Sequence, residues 1–221
     1  MLNLSNPILY LITRGATDET TTSESAEFRQ ILLQLSAAVT AGIQLIQIRE
    51  KKLTARVLFE LTTRAVSIAQ TTRTRVLVND RADIAASAGA HGVHLTTQSL
   101  EPAVVRQAFG DKFLIGSSTH SLEEARRARE SGADFIVFGP VFESLSKKKY
   151  GQPVGLQTLT DVAGKVTPLP VIALGGVSIT NAAECVRAGA AGVAGISLFG
   201  KPESLATVAT VIRESGKGVA S

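Results

Sequence analysis

Residues 41–51 read AGIQLIQIREK, in which an Ala-Gly turn, a largely apolar run and a charged cluster follow one another. Glycine accepts the left-handed backbone conformation that often ends a helix, so Gly42 predicts a helix C-terminus. The run 45–48 lacks the clean alternation of a half-exposed strand and predicts a strand buried on both faces. The stretch therefore predicts a helix end, a buried parallel strand and polar side chains where that strand ends.

The same unit recurs along the chain. Glycine turns at 41–43, 88–90, 131–133 and 188–190 each follow a helical pattern and precede an apolar run. Eight apolar runs predict strands, at 8–12, 45–48, 76–78, 92–95, 113–115, 135–138, 171–174 and 193–196. Amphipathic stretches such as 26–39 lie between them. Alternating strands and helices imply right-handed crossovers between parallel strands.

Eight strand–helix units in 221 residues predict an α/β fold, a single-domain (β/α)8 TIM barrel over residues 1–221. A doubly wound open sheet is the alternative, because strand order cannot be read from one sequence. The first unit contains no GxGxxG fingerprint, which disfavours a dinucleotide-binding version of that alternative. In a barrel the carboxyl ends of the strands form the active site, and the glycine turns lie at the opposite end.

The composition predicts a soluble cytoplasmic protein. The chain is 44% hydrophobic with a net charge of +4, and its single cysteine, Cys185, excludes an intrachain disulfide. The N-terminus lacks the features of a signal peptide, and no apolar run approaches the roughly 18 residues of a membrane span. The basic run 147–149 has no nucleic-acid motif around it. We therefore expect phosphorylated small molecules as partners, and neither nucleic acid nor membrane; the sequence does not decide whether the protein forms a homo-oligomer.

Two polar clusters follow the second and third predicted strands. Gln47, Arg49 and Lys51 belong to the first, and Asn79 and Asp80 to the second. A guanidinium, an ammonium and a carboxylate that converge at strand ends can hold a phosphate group together with a divalent metal. Each cluster also has a structural interpretation: a solvated turn with ion pairs for the first, and a helix cap for the second.

Further polar or glycine-rich segments follow four later strands. After the fifth, Ser118 is a candidate phosphate or substrate contact, and His120 is either a proton-transfer group or a structural side chain. His94, at the end of the fourth strand, either reaches the site or packs. The loop 139–151 either closes over an anion or is a basic loop without a role. The glycine segments 175–177 and 195–197 predict a phosphate site of backbone amides, with tight packing as the alternative.

With these motifs, the chain resembles the thiamine phosphate synthase family, which also contains the related thiazole tautomerases. The resemblance runs nearly end to end and rests on the segments 10–13, 47–51, 79–81, 92–95, 116–120, 139–142, 175–177 and 195–197. It implies a transferase, a thiamine-phosphate diphosphorylase, that condenses 4-amino-5-hydroxymethyl-2-methylpyrimidine diphosphate with thiazole phosphate. The products are thiamine phosphate and pyrophosphate, and magnesium holds the departing pyrophosphate.

Matched positions imply a role for each site residue. The residues implied to contact pyrophosphate are Arg49, Lys51, Asn79 and Lys147, and Asp80 is implied to bind the metal. Gln47 and Ser118 would lie near the pyrimidine. Ser144 and Ser146 stand where the family commonly has threonines. The residues implied to hold the thiazole phosphate are Gly176, Ile196 and Ser197.

One segment departs from the family pattern. Synthases usually read Gly-Gln-x-Asp after the fourth strand, with the aspartate as second metal ligand, whereas residues 96–99 read TTQS. Ser99 cannot supply that charge, so we expect weaker Mg²⁺ binding. The tautomerase branch also lacks this acid, and there His120 would transfer protons on a carboxythiazole phosphate. We therefore expect a synthase, with a thiazole tautomerase (an isomerase) and a non-catalytic phosphate-ligand binding protein as alternatives.

Overall fold

Eight parallel strands close into a barrel in the computed structural model, which describes residues 7–143 and 152–217. Each strand pairs with the next one along the chain, and β1 closes the barrel against β8. The strands are β1 (Ile8–Ile12), β2 (Leu45–Ile48), β3 (Arg75–Asn79), β4 (Gly92–Leu95), β5 (Leu114–Thr119), β6 (Phe135–Phe138), β7 (Val171–Ala173) and β8 (Gly192–Gly195).

A helix follows every strand and covers the outside of the barrel. The helices are α1 (Ala26–Thr40), α2 (Ala55–Ala69), α3 (Ala82–Ser87), α4 (Pro102–Phe109), α5 (Leu122–Glu130), α6 (Gly155–Val166), α7 (Ala182–Arg187) and α8 (Leu205–Lys217), the last preceded by a 3₁₀ turn, Pro202–Ser204. The predicted (β/α)8 barrel is therefore confirmed, and the open sheet is wrong. No helix in the described part of the chain is long and apolar enough to cross a membrane.

The hydrophobic core has two layers, because successive side chains of a strand point to opposite faces. Inside the barrel, Tyr10, Leu45, Leu77 and Phe135 belong to a small cluster of buried residues. Outside it, the other strand faces pack against helices. For example, α1 buries Phe28, Ile31, Leu35 and Ala38, which recur at helical spacing. The inner layer fills the barrel and thereby forms the floor under the carboxyl ends of the strands.

The glycine turns behave as predicted. Gly42, Gly89, Gly132 and Gly189 have positive φ angles of 69°, 72°, 84° and 91°, and each lies just after a helix. Most predicted strand bounds agree with the structure to within one residue at each end. The exception is β5, which continues to Thr119, whereas the sequence pattern ended it at 115. Ser118 therefore lies on a strand, and not in the loop after it as predicted.

Candidate active site

A cavity of about 330 Å³ opens at the carboxyl ends of the strands. It brings together seven of the predicted site residues, which come from four different strands or the segments directly after them. These residues are Gln47, Arg49, Lys51, Asn79, Ser118, His120 and Ile196. Gln47 and Asn79 are buried at 2% and 7% exposure, whereas Lys51 is exposed. The cavity therefore has an amide-lined floor and a cationic rim.

The two amide side chains on the floor are hydrogen-bonded to each other and to Asp80. Nε2 of Gln47 donates to Oδ1 of Asn79 over 2.9 Å, and Nδ2 of Asn79 donates to Oδ2 of Asp80 over 2.8 Å. Oε1 of Gln47 is buried and has no hydrogen-bond partner among the described residues. Asp80 has a φ of 59°, an uncommon conformation for a residue other than glycine. Such strained positions cluster at functional sites.

Arg49 and Lys51 face the cavity, but the carboxylate between them does not. The backbone N–H of Arg49 donates to Oγ1 of Thr13 over 2.8 Å, which fixes the segment after β2 against the end of β1. Glu50 is buried, and its carboxylate accepts from the N–H of Gly15 over 3.0 Å and from Oγ1 of Thr17 over 2.8 Å. Glu50 thus holds the loop after β1, and the positive charges of its two neighbours remain available to a ligand.

Three polar side chains form a hydrogen-bonded chain in the barrel interior at the floor of the cavity. The hydroxyl oxygen of Tyr10 lies 3.2 Å from Nδ1 of His94, and Nε2 of His94 lies 2.9 Å from Oγ of Ser118. Complete burial lowers the pKa of His94 to about 4, so the ring is neutral near pH 7. Burial also raises the pKa of Tyr10 well above its usual value. His94 therefore fixes the hydroxyl of Ser118 without bringing a charge into the site.

Sequence reasoning left His94 undecided and missed Tyr10. Both side chains point into the barrel, a consequence of register that the apolar pattern of their strands does not reveal. Room for the imidazole is made by Gly116, where an added Cβ would lie 2.7 Å from Nδ1 of His94 and 2.3 Å from Cζ of Phe135. A glycine within a strand often marks a place where another group approaches the backbone closely. Gly116, two residues before Ser118, could therefore have indicated a bulky side chain beside this strand.

His120 lies at the rim of the cavity. Its Nδ1 is 2.5 Å from the carbonyl oxygen of Gly139, and its backbone N–H donates to Oε2 of Glu124 over 2.6 Å. Because a carbonyl oxygen only accepts, Nδ1 of His120 carries a proton. In the neutral ring Nε2 is then unprotonated and is able to accept a proton or a hydrogen bond.

Comparison with known proteins identifies the family. A model of the family described as thiamine monophosphate synthase matches residues 9–199, which is most of the chain. The chain belongs to the thiamine monophosphate synthase family. It is 41% identical over 187 residues to the thiamine-phosphate synthase of Anaeromyxobacter dehalogenans, and the match covers 83% of each protein. The thiamine-phosphate synthase of Roseiflexus castenholzii is 35% identical over 201 residues, which is 90% of this chain and 88% of the relative.

A solved structure agrees with this membership of the thiamine monophosphate synthase family. Thiamine phosphate pyrophosphorylase from Pyrococcus furiosus is similar with a TM-score of 0.78 and 27% sequence identity. The similarity covers 97% of this chain and 98% of that structure. The family resemblance predicted from the motifs is thereby confirmed.

The segments implied by the family to hold thiazole phosphate lie beside each other after β7 and β8. Gly175 and Ile196 line the cavity, and Gly176 and Ser197 are the next residues along the chain. Gly175 and Gly176 have φ angles of 95° and 64°, and a Cβ on Gly176 would lie 2.3 Å from the carbonyl oxygen of Glu143. Glycine is therefore required here by the backbone, and phosphate binding by Gly176, Ile196 and Ser197 stays a prediction.

Three further predicted site residues follow the sixth strand in the sequence. Ser144, Ser146 and Lys147 fall outside the described residues. Arg81, the residue after Asp80, is paired with Asp83: its Nε and Nη2 lie 2.8 and 2.5 Å from the two carboxylate oxygens of Asp83. Because this pair uses the charge of Arg81, Arg49 and Lys51 are the Arg and Lys side chains that line the cavity in the described part of the chain.

The expected magnesium site contains one carboxylate, that of Asp80. Oγ of Ser99 donates to Oδ1 of Asp80 and accepts from the N–H of Thr96 over 2.7 Å. No group of three His, Cys, Asp or Glu side chains in the described ranges is arranged to hold a metal ion. Mg²⁺ nevertheless binds through one or two carboxylates together with substrate phosphates. Asp80 fits such a shared site, in which the diphosphate supplies the remaining oxygens.

Proposed function

We propose that this protein is a thiamine phosphate synthase that joins 4-amino-5-hydroxymethyl-2-methylpyrimidine diphosphate to thiazole phosphate. The observation that carries the proposal is the buried Oε1 of Gln47, which has no partner in the described ranges 7–143 and 152–217, in a cavity whose rim bears Arg49 and Lys51. A buried acceptor without a partner costs free energy, which a ligand amine recovers by donating to it. A diphosphate on the same ligand meets the two cations. An aminopyrimidine diphosphate offers both groups.

In this proposal the protein supports the reaction by positioning and by charge neutralisation. The bond between the pyrimidine methylene carbon and the diphosphate oxygen breaks, and the electron pair leaves with the diphosphate. Arg49 forms paired hydrogen bonds to that group and Lys51 adds a point charge, so the negative charge that develops on it is stabilised. The thiazole nitrogen then donates its electron pair to the methylene carbon and forms the new C–N bond.

Neutral groups would surround the pyrimidine ring itself. Ser118, held by the uncharged ring of His94, would hydrogen-bond to a ring nitrogen or substituent. A protonated imidazole at this position would repel the cationic pyrimidine, whereas the low pKa of His94 keeps the ring neutral. The segments after β7 and β8, with Gly176, Ile196 and Ser197, would hold the thiazole phosphate.

Asp80 would hold Mg²⁺, and when bound this ion supplies additional positive charge to the leaving diphosphate. Asn79 and Lys147 are assigned to the same diphosphate by matched position in the family, and Ser144 and Ser146 are assigned to substrate binding. We also infer a cytoplasmic location, since one cysteine and small phosphorylated substrates suit a reducing compartment.

A second candidate, thiazole tautomerase, is favoured by one observation. His120 lines the cavity with Nε2 unprotonated in its neutral form, as a proton-transfer group requires. On this alternative the substrate is a carboxythiazole phosphate, and magnesium is not needed.

An assay with both substrates separates these functions. Purified protein with the pyrimidine diphosphate, thiazole phosphate and Mg²⁺ should release pyrophosphate and thiamine phosphate in equal amounts. An Arg49→Ala variant is the control for contaminating activity and should lose both products. Absence of turnover at every Mg²⁺ concentration would overturn the synthase proposal. Aromatisation of carboxythiazole phosphate in chelator, lost in His120→Ala, would instead establish the tautomerase, and binding without either activity would indicate a non-catalytic protein.

A further inference from the structure

Two side chains on the floor of the cavity and an exposed carboxylate beside it form a continuous hydrogen-bonded row, which we call the side-chain relay: Gln47, Asn79 and Asp80. Nε2 of Gln47 is 2.9 Å from Oδ1 of Asn79, and Nδ2 of Asn79 is 2.8 Å from Oδ2 of Asp80. The relay joins the end of β2 to the end of β3. It connects the proposed amine subsite at Gln47 with the carboxylate proposed to hold Mg²⁺.

The chemistry of the groups gives the relay one direction. An ionised carboxylate only accepts hydrogen bonds, so Asn79 must turn its NH₂ group toward Asp80. The side-chain carbonyl oxygen of Asn79 then faces Gln47, and the NH₂ group of Gln47 must donate a hydrogen bond to it. Oε1 of Gln47 is consequently the atom left without a partner among the residues that the structure describes. The carboxylate of Asp80 at one end of the relay thus makes the free atom of Gln47 at the other end a hydrogen-bond acceptor.

The carboxylate of Asp80 is itself held from the opposite side. Oγ of Ser99 donates to its Oδ1, and Ser99 in turn accepts from the N–H of Thr96 over 2.7 Å and lies 2.9 Å from Oγ1 of Thr96. These contacts use Oδ1 and leave Oδ2 to Asn79. Ser99 therefore steadies Asp80 without setting the direction of the relay.

We propose that Asp80 is a positioning residue that acts through Asn79 to keep Oε1 of Gln47 as a hydrogen-bond acceptor for the ligand. The proposal rests on the proposed function, since it assumes that a pyrimidine occupies the cavity. An acceptor at Gln47 favours a 4-aminopyrimidine, whose amine donates. It disfavours the 4-oxo analogue, whose carbonyl would place two acceptors against each other. Asp80 thereby determines which pyrimidine is selected, apart from any role in metal binding.

The substitution Asp80→Asn removes the group that sets the direction of the hydrogen bonds in the relay, and it keeps the size and shape of the side chain. An amide donates and accepts, so the side chains of Gln47, Asn79 and the new asparagine become free to rotate together and reverse the row. Nε2 of Gln47 would then face the ligand and accommodate the oxo analogue. Asparagine also tolerates the φ of 59° at this position, so the backbone conformation is retained.

The test measures binding of the two pyrimidine alcohols that lack the diphosphate, by calorimetry in chelator, so that metal binding does not contribute. The natural protein should bind 4-amino-5-hydroxymethyl-2-methylpyrimidine about tenfold or more tightly than its 4-oxo analogue. Asp80→Asn should reduce this ratio to about threefold or less. Asn79→Ala, which removes the link itself, should lower it likewise. Ser99→Ala is the matched control and should retain the ratio of the natural protein.

The outcomes separate the relay from the function on which it rests. An unchanged amino-to-oxo ratio in folded Asp80→Asn and Asn79→Ala would overturn the relay and leave the proposed function standing. If the natural protein binds neither alcohol and forms no thiamine phosphate, the proposed function is overturned and the relay with it. A ratio that falls equally in Ser99→Ala would contradict the direction argument, because that variant keeps the carboxylate.

Discussion

In the floor of the cavity, Nε2 of His94 lies 2.9 Å from Oγ of Ser118. The other ring nitrogen lies 3.2 Å from the hydroxyl oxygen of Tyr10. The imidazole is therefore held between two hydroxyl groups in the interior of the barrel. Since each hydroxyl can donate or accept, the neutral ring can satisfy both of its nitrogens at once. A protonated ring would need two acceptors and would pay a large desolvation penalty at full burial.

This arrangement predicts a pH-dependent stability that is specific to His94. The pKa of this imidazole is about 6.5 in the unfolded chain and about 4 in the folded protein. Between those values the unfolded state binds more protons, so the free energy of unfolding falls as the pH decreases. From pH 7 to pH 4.5 the loss due to this group should be about 2 kcal/mol.

Urea unfolding of the natural protein and His94→Gln at both pH values measures that loss. Other groups titrate equally in the two proteins, so the natural protein should lose more stability than the variant on acidification. Equal losses would show that the imidazole is not held neutral in the folded state.

Lys51 and Lys52 are neighbours in the sequence, but among the two only Lys51 lines the cavity. Lys51→Ala should lower kcat/KM for the pyrimidine diphosphate about 10- to 100-fold, because a charged hydrogen bond to the leaving group is lost. Lys52→Ala is the matched control and should stay close to the natural protein. Steady-state kinetics with the diphosphate as varied substrate makes the comparison, and equal effects in both variants would contradict the assignment.

Gly116 makes room for His94 and Phe135. In Gly116→Ala the new Cβ would lie 2.3 Å from Cζ of Phe135, and the overpacking should cost about 1–3 kcal/mol of unfolding free energy. Gly164 provides the comparison, since it lies in α6 with no atom within 4 Å of an added Cβ. Gly164→Ala should stabilise the protein by about 0.5–1 kcal/mol. Thermal and urea unfolding measure both, and a neutral Gly116→Ala would argue against the close packing.

Glu50 fixes the loop after β1 through a buried carboxylate that accepts from Gly15 and Thr17. Glu50→Gln places an NH₂ group against N–H or O–H donors and should destabilise the protein by about 1–3 kcal/mol. The amide hydrogens of Gly15 and Thr17 should exchange faster in this variant. Glu60→Gln, which alters an exposed pair with Arg64, should change stability by no more than about 0.5 kcal/mol. Unchanged exchange at both amides would rule out the anchoring role.

Ser99 stands beside Asp80 where a second carboxylate would complete a stronger metal site. Ser99→Asp should raise the affinity for Mg²⁺ about tenfold or more, because the charge of the ligand set increases. Ser99→Asn keeps a similar size without the charge and should bind Mg²⁺ no better than the natural protein. Calorimetric titration with MgCl₂ in the presence of pyrophosphate compares the three proteins. Equal affinities in the Asp and Asn variants would show that the added carboxylate does not reach the metal.

The barrel could be predicted because its signals are local. Glycine turns such as 41–43 and buried apolar runs such as 135–138 each report a short-range preference, and their repetition indicated the closed sheet. The end of β5 was missed because Ser117, Ser118 and Thr119 read as a polar loop. In the folded strand Ser117 and Thr119 are buried, and the hydroxyl of Ser118 contacts His94. Tertiary contacts there outweigh local composition.

The sequence by itself determined the strand–helix alternation, the residue types at the strand ends and, through its motifs, the family. It placed Gln47, Arg49 and Lys51 at one strand end because those positions depend only on where an apolar run stops. The tertiary structure decided which atoms of these side chains are available to a ligand, because the hydrogen bonds that occupy the other atoms join residues from different strands. The carboxylate of Glu50 holds the loop after β1, and burial keeps His94 neutral. The hydrogen bond from Asn79 to Asp80 leaves Oε1 of Gln47 without a partner in the described part of the chain. These outcomes depend on neighbours that are distant in the sequence.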